Sequence, residues 1–153
     1  MNVQLSFPDK VPIIHGDGRK LSKALIHLLD NAIKFSPAGS NIFLTVTEKD
    51  DCLSLSIKDA GIGIIQEHLS CIFDGFYQGD TSLTRKYPGV ELGLNICEHI
   101  VRKHDGSIRV ESKVNEGSTF HIDLPIKEQL YDCCLFKMTR ISKKMCTGHL
   151  MSG

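Results

Sequence analysis

Residues 42–63 read IFLTVTEKDDCLSLSIKDAGIG, and the pattern in that stretch decides the architecture. Ile42, Leu44 and Val46 alternate with Phe43, Thr45 and Thr47. After Asp50-Asp51, Leu53, Leu55 and Ile57 alternate with Ser54, Ser56 and Lys58. Two adjacent runs with a period of two, joined by a short acidic turn, predict two strands of a sheet with one buried face. The second run ends in Asp59-Ala60-Gly61-Ile62-Gly63. Glycines at such a junction let backbone N–H groups approach a ligand closely. A plain aspartate-glycine turn is the blander reading, and D-x-G-x-G alone is a weak motif.

Upstream, residues 1–15 read as an extended lead-in with prolines at 8 and 12. Asp17 then caps a helix that Pro37 and Gly39 stop. Leu21, Ala24, Leu25, Leu28, Leu29, Ala32 and Ile33 recur at helical spacing, and His27, Asn31 and Lys34 form a polar stripe beside them. Downstream, a short helix is predicted at 66–72 and a long polar loop at 77–91, a length often used for functional lids. A second amphipathic helix runs from about Leu92 to His104. Strands at Ile108–Val110 and Phe120–Leu124 flank a hairpin turn at Asn115-Glu116-Gly117, and Pro125 ends the regular pattern. This order is not the βαβ alternation of a doubly wound sheet. It predicts an α+β fold, a two-layer α/β sandwich whose mixed, mostly antiparallel sheet has helices on one face.

The chain has 153 residues, enough for one domain with one proper core. We place that domain at 1–126 and a tail of unassigned structure at 127–153, where the hydrophobic periodicity fades. Eighteen basic residues balance eighteen acidic ones, so net charge gives no argument for nucleic-acid or membrane binding. No apolar run is long enough to span a bilayer, and a cytoplasmic location is expected. Cys52, Cys71 and Cys97 sit in apolar stretches and read as buried free thiols. Cys133, Cys134, Cys146 and His149 lack the paired spacing of a zinc site.

The remaining candidates lie on the polar stripe and in the glycine segments. Asn31 offers an amide oxygen suited to Mg2+, and Lys34, one turn on, an ammonium suited to phosphate oxygens. An ordinary solvated helix face explains the pair equally simply. Asp59 is placed to accept a hydrogen bond from an adenine amino group. Phe73, Phe76 and Tyr77 read as a lid base or as core. Arg85 and Lys86 lie in the polar loop, in reach of a triphosphate if the loop closes. Gly89-Val90-Glu91-Leu92-Gly93-Leu94 opens the second helix, where loop amides and the helix N-terminus favour phosphate. No G-K-[ST] follows, so this is not a Walker A loop, and no H-R-D or D-F-G kinase signature occurs. A hydroxyl of Gly117-Ser118-Thr119-Phe120 faces either a nucleotide or nothing more than its own hairpin.

In order and spacing these segments resemble the catalytic ATP-binding domain of sensor histidine kinases, related to gyrase B, Hsp90 and MutL. Leu28 through Pro37 resembles the family's N box, and Asp59 through Ile64 its G1 box. Ile72-Phe73-Asp74-Gly75-Phe76-Tyr77 resembles the F box, Gly89 through Leu94 the G2 box, and Gly117 through Phe120 the last glycine box. The likeness covers roughly residues 12–126. It implies a Bergerat-type sandwich binding ATP and Mg2+ between the first helix, the sheet and a lid. By that likeness Asn31 would hold Mg2+, Lys34 would contact phosphate, and both would serve catalysis. Phe35 would pack near the base and Asp59 would read adenine. Gly61, Gly63, Gly89 and Gly93 would make room for the nucleotide, with Ile64, Arg85, Lys86, Leu92, Leu94 and Thr119 completing the contacts. The implied reaction moves the γ-phosphoryl group to a histidine on a dimerisation domain, and a response regulator receives it indirectly.

Three departures from the family pattern bear on activity. His27 stands where the N box usually has asparagine and where ATP-hydrolysing relatives carry a catalytic glutamate, which argues against a hydrolase. Glu91 replaces the middle glycine of the G2 box. Facing a triphosphate it would cost on the order of several kcal/mol, and a left-handed backbone there would add of order 1–3 kcal/mol. No H-[DE] motif with a following basic residue and proline occurs, since His104-Asp105 runs into Gly106. The alternative reading is therefore a degenerate, non-catalytic domain that works through protein contacts.

Overall fold

The computed structural model describes residues 2–74 and 90–126, with the backbone alone for Val90, Glu91 and Leu92. Five strands and three helices are found there: β1 Asn2–Ser6, α1 Gly18–Phe35, β2 Asn41–Lys49, β3 Cys52–Lys58, α2 Gln66–Leu69, α3 Val90–Lys103, β4 Ser107–Lys113 and β5 Gly117–Pro125. They form one sheet in the order β1-β2-β3-β5-β4. Only the β1–β2 pair is parallel; the other three are antiparallel. The expected mixed sandwich is what forms.

The β2–β3 hairpin closes through Asp50 and Asp51, at φ 52° and 59°. Two consecutive left-handed residues match the twist of a two-residue hairpin loop, and aspartate tolerates that region. Cross-strand register places Leu44 opposite Ile57, Ile57 opposite Phe120, and Phe120 opposite Val110. These side chains share the face that the helices cover. On that face Ile42, Leu44, Val46, Ile57, Phe120, Ile122 and Leu124 are buried against Ala24, Leu28 and Ala32 of α1 and Leu94, Cys97, Ile100 and Val101 of α3. Leu28 is fully buried, so truncating it to alanine would cost about 2–5 kcal/mol. Small Ala24 lets the helices approach closely: the Cys97 thiol donates to its carbonyl at 3.3 Å. Burial pushes that thiol up to about 11. Cys52 and Cys71 are only half-buried.

Asp17 caps α1 as expected, its Oδ1 accepting from the N–H groups of Arg19 at 3.1 Å and Lys20 at 3.2 Å. The backbone N–H of Lys20 is the main reason its carboxyl lies below the ordinary value. The Asp17 N–H donates to His104 Nε2 at 2.9 Å, and His104 Nδ1 contacts the Ile100 carbonyl at 2.7 Å. One imidazole thus ties the start of α1 to the end of α3.

Two expectations change. The lead-in contains a strand, because Val3 and Leu5 pair with Ile42 and Leu44 along the sheet edge. All five β1 residues stay exposed, so the strand has no buried stripe to announce it. The second helix starts at Val90, earlier than Leu92, and carries position 91 in its first turn. Helical backbone has negative φ, so a β-carbon at 91 meets no left-handed strain. Residues 77–89 of the expected loop and the 127–153 tail lie outside the described residues.

Candidate nucleotide site

Helix α1 brings the candidate residues together. His27, Asn31 and Lys34 follow one another at helical spacing, with Phe35 closing the helix. The His27 ring lies against the first turns of α3: a β-carbon at Gly93 would sit 3.3 Å from its Nδ1. At the other end, a β-carbon at Gly61 would sit 2.7 Å from the Phe35 carbonyl oxygen. The G1-type loop therefore packs on the end of α1 and the G2-type helix on its middle, with Asn31 between the two contacts.

Asn31 is 8% exposed, and its Nδ2 has no hydrogen-bond partner among the described residues. A buried polar group left unpaired costs about 1–3 kcal/mol. The alternating stripe of an ordinary solvated helix face does not explain a buried amide. Lys34 is exposed in the last turn, where its charge also suits the helix C-terminus.

Asp59 is 6% exposed. Its Oδ1 accepts from the Gly61 N–H at 2.8 Å and the Ser118 N–H at 3.2 Å, while its own N–H donates to the Ser118 carbonyl at 2.9 Å. No hydrogen bond reaches Oδ2 from the described residues, and this oxygen is not among the fully buried unpaired atoms, so it is accessible to a ligand. Burial holds the carboxyl above its ordinary value, and the two backbone donors pull in the opposite direction.

The glycines around Asp59 each have close protein neighbours. Gly63 has φ +70°, and a β-carbon there would lie 2.0 Å from the Lys113 carbonyl oxygen. Gly117 has φ +100°, and a β-carbon there would lie 2.1 Å from the Asp59 carbonyl oxygen. The 59–63 loop and the 112–118 hairpin interlock backbone to backbone. Asn115 N–H donates to the Ile62 carbonyl at 2.8 Å. Ser112 Oγ accepts from the Ile64 N–H at 2.8 Å and contacts the Gly117 carbonyl and Ser118 Oγ at 2.9 Å each. Gly63 and Gly117 make room for this clamp, while Gly61 makes room for the Phe35 carbonyl and the Asp59 carboxylate.

Other candidates are placed as follows. Thr119 pairs with Lys58 and Glu111, one residue out of step with Phe120, so strand alternation turns it from the helix-covered face. Buried Ser118 meets Asp59 through its backbone, and its hydroxyl contacts Ser112 Oγ at 2.9 Å. Leu94 lies in the core at 7% exposure, held there by apolar packing rather than by an open pocket. Ile64 is half-buried behind the clamp. Phe73 meets Phe120 edge to face at 6.5 Å, and Asn95 Nδ2 holds the Phe73 carbonyl at 3.0 Å. Phe76, Tyr77, Arg85, Lys86 and Gly89, and the side chains of Glu91 and Leu92, lie outside the described residues. Ser118 was missed as a support for Asp59, and Ser112 as a support for the Ile64 N–H of the same loop. Their only signal was serine interrupting apolar alternation. Among the described residues no His, Cys, Asp and Glu cluster could hold a metal, and no helix is long and apolar enough to cross a membrane.

A mixed sheet, one helical layer, and a buried amide and carboxylate left with free positions make a nucleotide-binding sandwich. The chain belongs to the histidine kinase-, DNA gyrase B- and HSP90-like ATPase family, whose model matches residues 16–128. It is homologous to the catalytic ATP-binding domains of sensor histidine kinases. The circadian input-output histidine kinase CikA of Synechococcus elongatus is 37% identical over 123 residues, covering 80% of this chain and 16% of CikA. The Staphylococcus aureus sensor protein SrrB is 42% identical over 112 residues, covering 73% and 19%. The chain thus spans less than a fifth of each of these relatives. Among solved structures, the mycobacterial sensor histidine kinase MprB superposes with TM-score 0.68 at 30% identity, covering 80% of this chain and 81% of that one. The nucleotide-free catalytic domain of histidine kinase ThkA gives 0.69 at 25%, covering 82% and 78%. Full-length ShkA in complex with AMPPNP gives 0.69 at 26%, covering 81% and 25%.

Proposed function

We propose that this chain binds Mg-ATP as the catalytic domain of a two-component sensor histidine kinase. Its acceptor is a histidine on a dimerisation domain outside this sequence, and a response regulator takes the phosphoryl group from there. The observation that carries the reading is the orphaned Nδ2 donor of Asn31, buried between the G1-type loop and the G2-type helix, where a phosphate oxygen would satisfy it. The same facts favour a pocket in use over a degenerate domain, which would have no reason to keep an unpaired amide inside.

In this reading Asn31 holds Mg2+ through its Oδ1, and Lys34 contacts phosphate. Phe35 packs near the base, and Asp59 Oδ2 accepts from the adenine amino group. Ser118 replaces Thr119 in the wall. Gly89, Leu92, Gly93 and Leu94 shape the phosphate end by backbone, and Arg85 and Lys86 reach the triphosphate from the loop. When bound, Mg2+ would supply positive charge that neutralises the charge developing on the phosphates. An imidazole nitrogen of the acceptor attacks the γ-phosphorus, the β–γ bridging P–O bond breaks, and ADP departs. The chain's own share is positioning and charge neutralisation. His27 replaces the glutamate that hydrolysing relatives use, so water is not activated from that position. Residues 1–126 form the domain, and it works in the cytoplasm.

Calorimetric titration with Mg-ATP, on the native chain and on Glu91→Gly, tests the reading. Weak binding that strengthens in Glu91→Gly is expected from like-charge repulsion. Tight native binding unchanged by Glu91→Gly would remove Glu91 as an impairment. No binding by either protein would leave the scaffold reading.

A further inference from the structure

Eleven large apolar side chains stand exposed among the described residues, and seven of them belong to β1, the lead-in that follows it, and one flank of α1. β1 sets Val3 opposite Ile42 and Leu5 opposite Leu44, so both share the face that the helices cover. Neither helix reaches them. α3 packs over β4 and α1 over β3, which leaves β1 past the edge of the helical layer. His27 meets α3, so the opposite flank of α1, with Ile26, Leu29 and Ile33, looks toward β1. Val3 is 48% exposed, Leu5 62%, Ile26 57% and Ile33 45%. An open apolar strip of this kind on a small domain marks a contact surface.

The chain itself supplies the occupant. Residues 127–153 leave the sheet at Ile126, whose N–H donates to the Asp51 carbonyl at 2.8 Å. That is the end of the sheet toward which β1 also runs. From there to Ser6 is about 20 Å, crossed by about six extended residues, so most of the segment remains to lie along the strip. The segment is apolar enough to need cover, with Leu130, Leu135, Phe136, Met138, Ile141 and Met145. Its charge is opposite to that of the rest. Five basic and two acidic residues lie in 127–153, against thirteen basic and sixteen acidic in 1–126. On the strip, Asp30 stands exposed between Ile26 and Ile33, one turn from each, a carboxylate within the apolar row for one of those cations.

We propose that residues 127–153 fold back over this strip, with apolar side chains on Val3, Leu5, Ile26 and Ile33 and a lysine or arginine on Asp30. The strip lies across α1 from Asn31, so this cover leaves the candidate nucleotide site open. The inference therefore stands apart from the kinase reading.

The test reads two thiols of the segment, Cys133 and Cys134, in the full 153-residue chain by iodoacetamide labelling and peptide mass mapping. Both should be labelled about tenfold more slowly in the native chain than in the guanidinium-denatured chain, by the same factor at every protein concentration. Leu5→Ser/Ile33→Ser should return labelling close to the denatured rate. Both of those side chains are exposed, and continued protection of fully buried Cys97 verifies that the core is intact. Leu135→Ser/Phe136→Ser, which alters nothing within 1–126, is the second variant and should expose the two thiols equally. Asp30→Lys should speed labelling at low salt, with the difference shrinking at high salt. Labelling of the native chain at the denatured rate would overturn the proposal, as would protection that neither double variant relieves. Protection that grows with protein concentration would give the strip to a second copy of the chain and overturn it too. An unchanged rate in Asp30→Lys would overturn the charge contact.

Discussion

Asp59 carries two separable duties, and two substitutions pull them apart. Its Oδ1 satisfies the buried N–H groups of Gly61 and Ser118, whereas its Oδ2 is left for a ligand. Asp59→Ala orphans both donors, at about 1–3 kcal/mol each. The sum is about 2–6 kcal/mol, which in a domain of this size lowers Tm by about 10 °C or more. Asp59→Asn keeps an oxygen at Oδ1 but places an NH2 group where Oδ2 was. It should fold with a Tm near or above that of the native chain. Both variants lose the charge-assisted bond to the adenine amino group, worth about 1.5–3 kcal/mol, or at least about tenfold in affinity. The assays are differential scanning fluorimetry for stability and calorimetry for Mg-ATP. The pH dependence has a definite sign. The folded carboxyl lies above its ordinary value. The stability Asp59 contributes is thus full below the ordinary aspartate range and falls as pH rises through the raised value. The Tm advantage of Asp59→Asn over the native chain should therefore grow from acid to neutral pH. ATP binding, which needs the ionised oxygen, should weaken as pH drops through the raised value, and Asp59→Asn should lack that step. Native-like ATP affinity in Asp59→Asn would refute the role of Oδ2. Equal destabilisation by Asn and Ala would refute the hydrogen-bond accounting.

Three further outcomes follow from the geometry. Asn31→Leu should raise the stability of the nucleotide-free protein by about 1 kcal/mol, since it removes an orphaned buried N–H, while abolishing Mg-ATP binding; thermal melts with and without nucleotide check both halves. Gly63→Ala should unfold the loop–hairpin clamp, because the added carbon lies 2.0 Å from the Lys113 carbonyl, while Gly18→Ala, with nothing within 4 Å, should leave Tm unchanged or higher; hydrogen exchange at the Ile64 and Asn115 amides reports the clamp directly. His121 is held below the ordinary histidine value by burial and by Arg109, against the pull of Glu111 and Asp123. Its 3.5 Å approach to Glu111 is thus no ion pair near neutral pH. A depressed imidazole contributes stability that is present above 6.5 and lost as pH falls through the lower folded value. His121→Gln should flatten the Tm profile there, and an unchanged slope would assign that acid sensitivity to other groups.

The helices and four of the strands were legible because each has one covered face, which forces a period of 3.6 or two on the sequence. β1 was not legible for the opposite reason: an edge strand beyond the helical layer buries nothing, and Pro8 and Pro12 drew the reading toward irregular chain. The buried state of Asn31 was not read from the helix, where it stood in a polar stripe with His27 and Lys34; the packing of its neighbours Leu28 and Ala32 carries it inside. The support of Asp59 by Ser118, and of Ile64 by Ser112, could not be read either, because the partners lie 59 and 48 positions apart in sequence and only the register of β4 on β5 and β3 brings them together. Strand parity likewise decided between Ser118 and Thr119, and a one-residue difference of that kind is invisible until pairing is fixed.

The interlock of Gly63 and Gly117 with opposing backbone changes what a glycine signature testifies to. Both glycines are demanded by the chain's own crossing, so selection for folding alone would hold them in place. A descendant of this domain that had stopped binding nucleotide would keep its glycine boxes and still look intact by motif. The positions free to drift first are those that cost stability to retain, Asn31 foremost. For telling a working copy from a retired one, the amide is the witness and the glycines are bystanders.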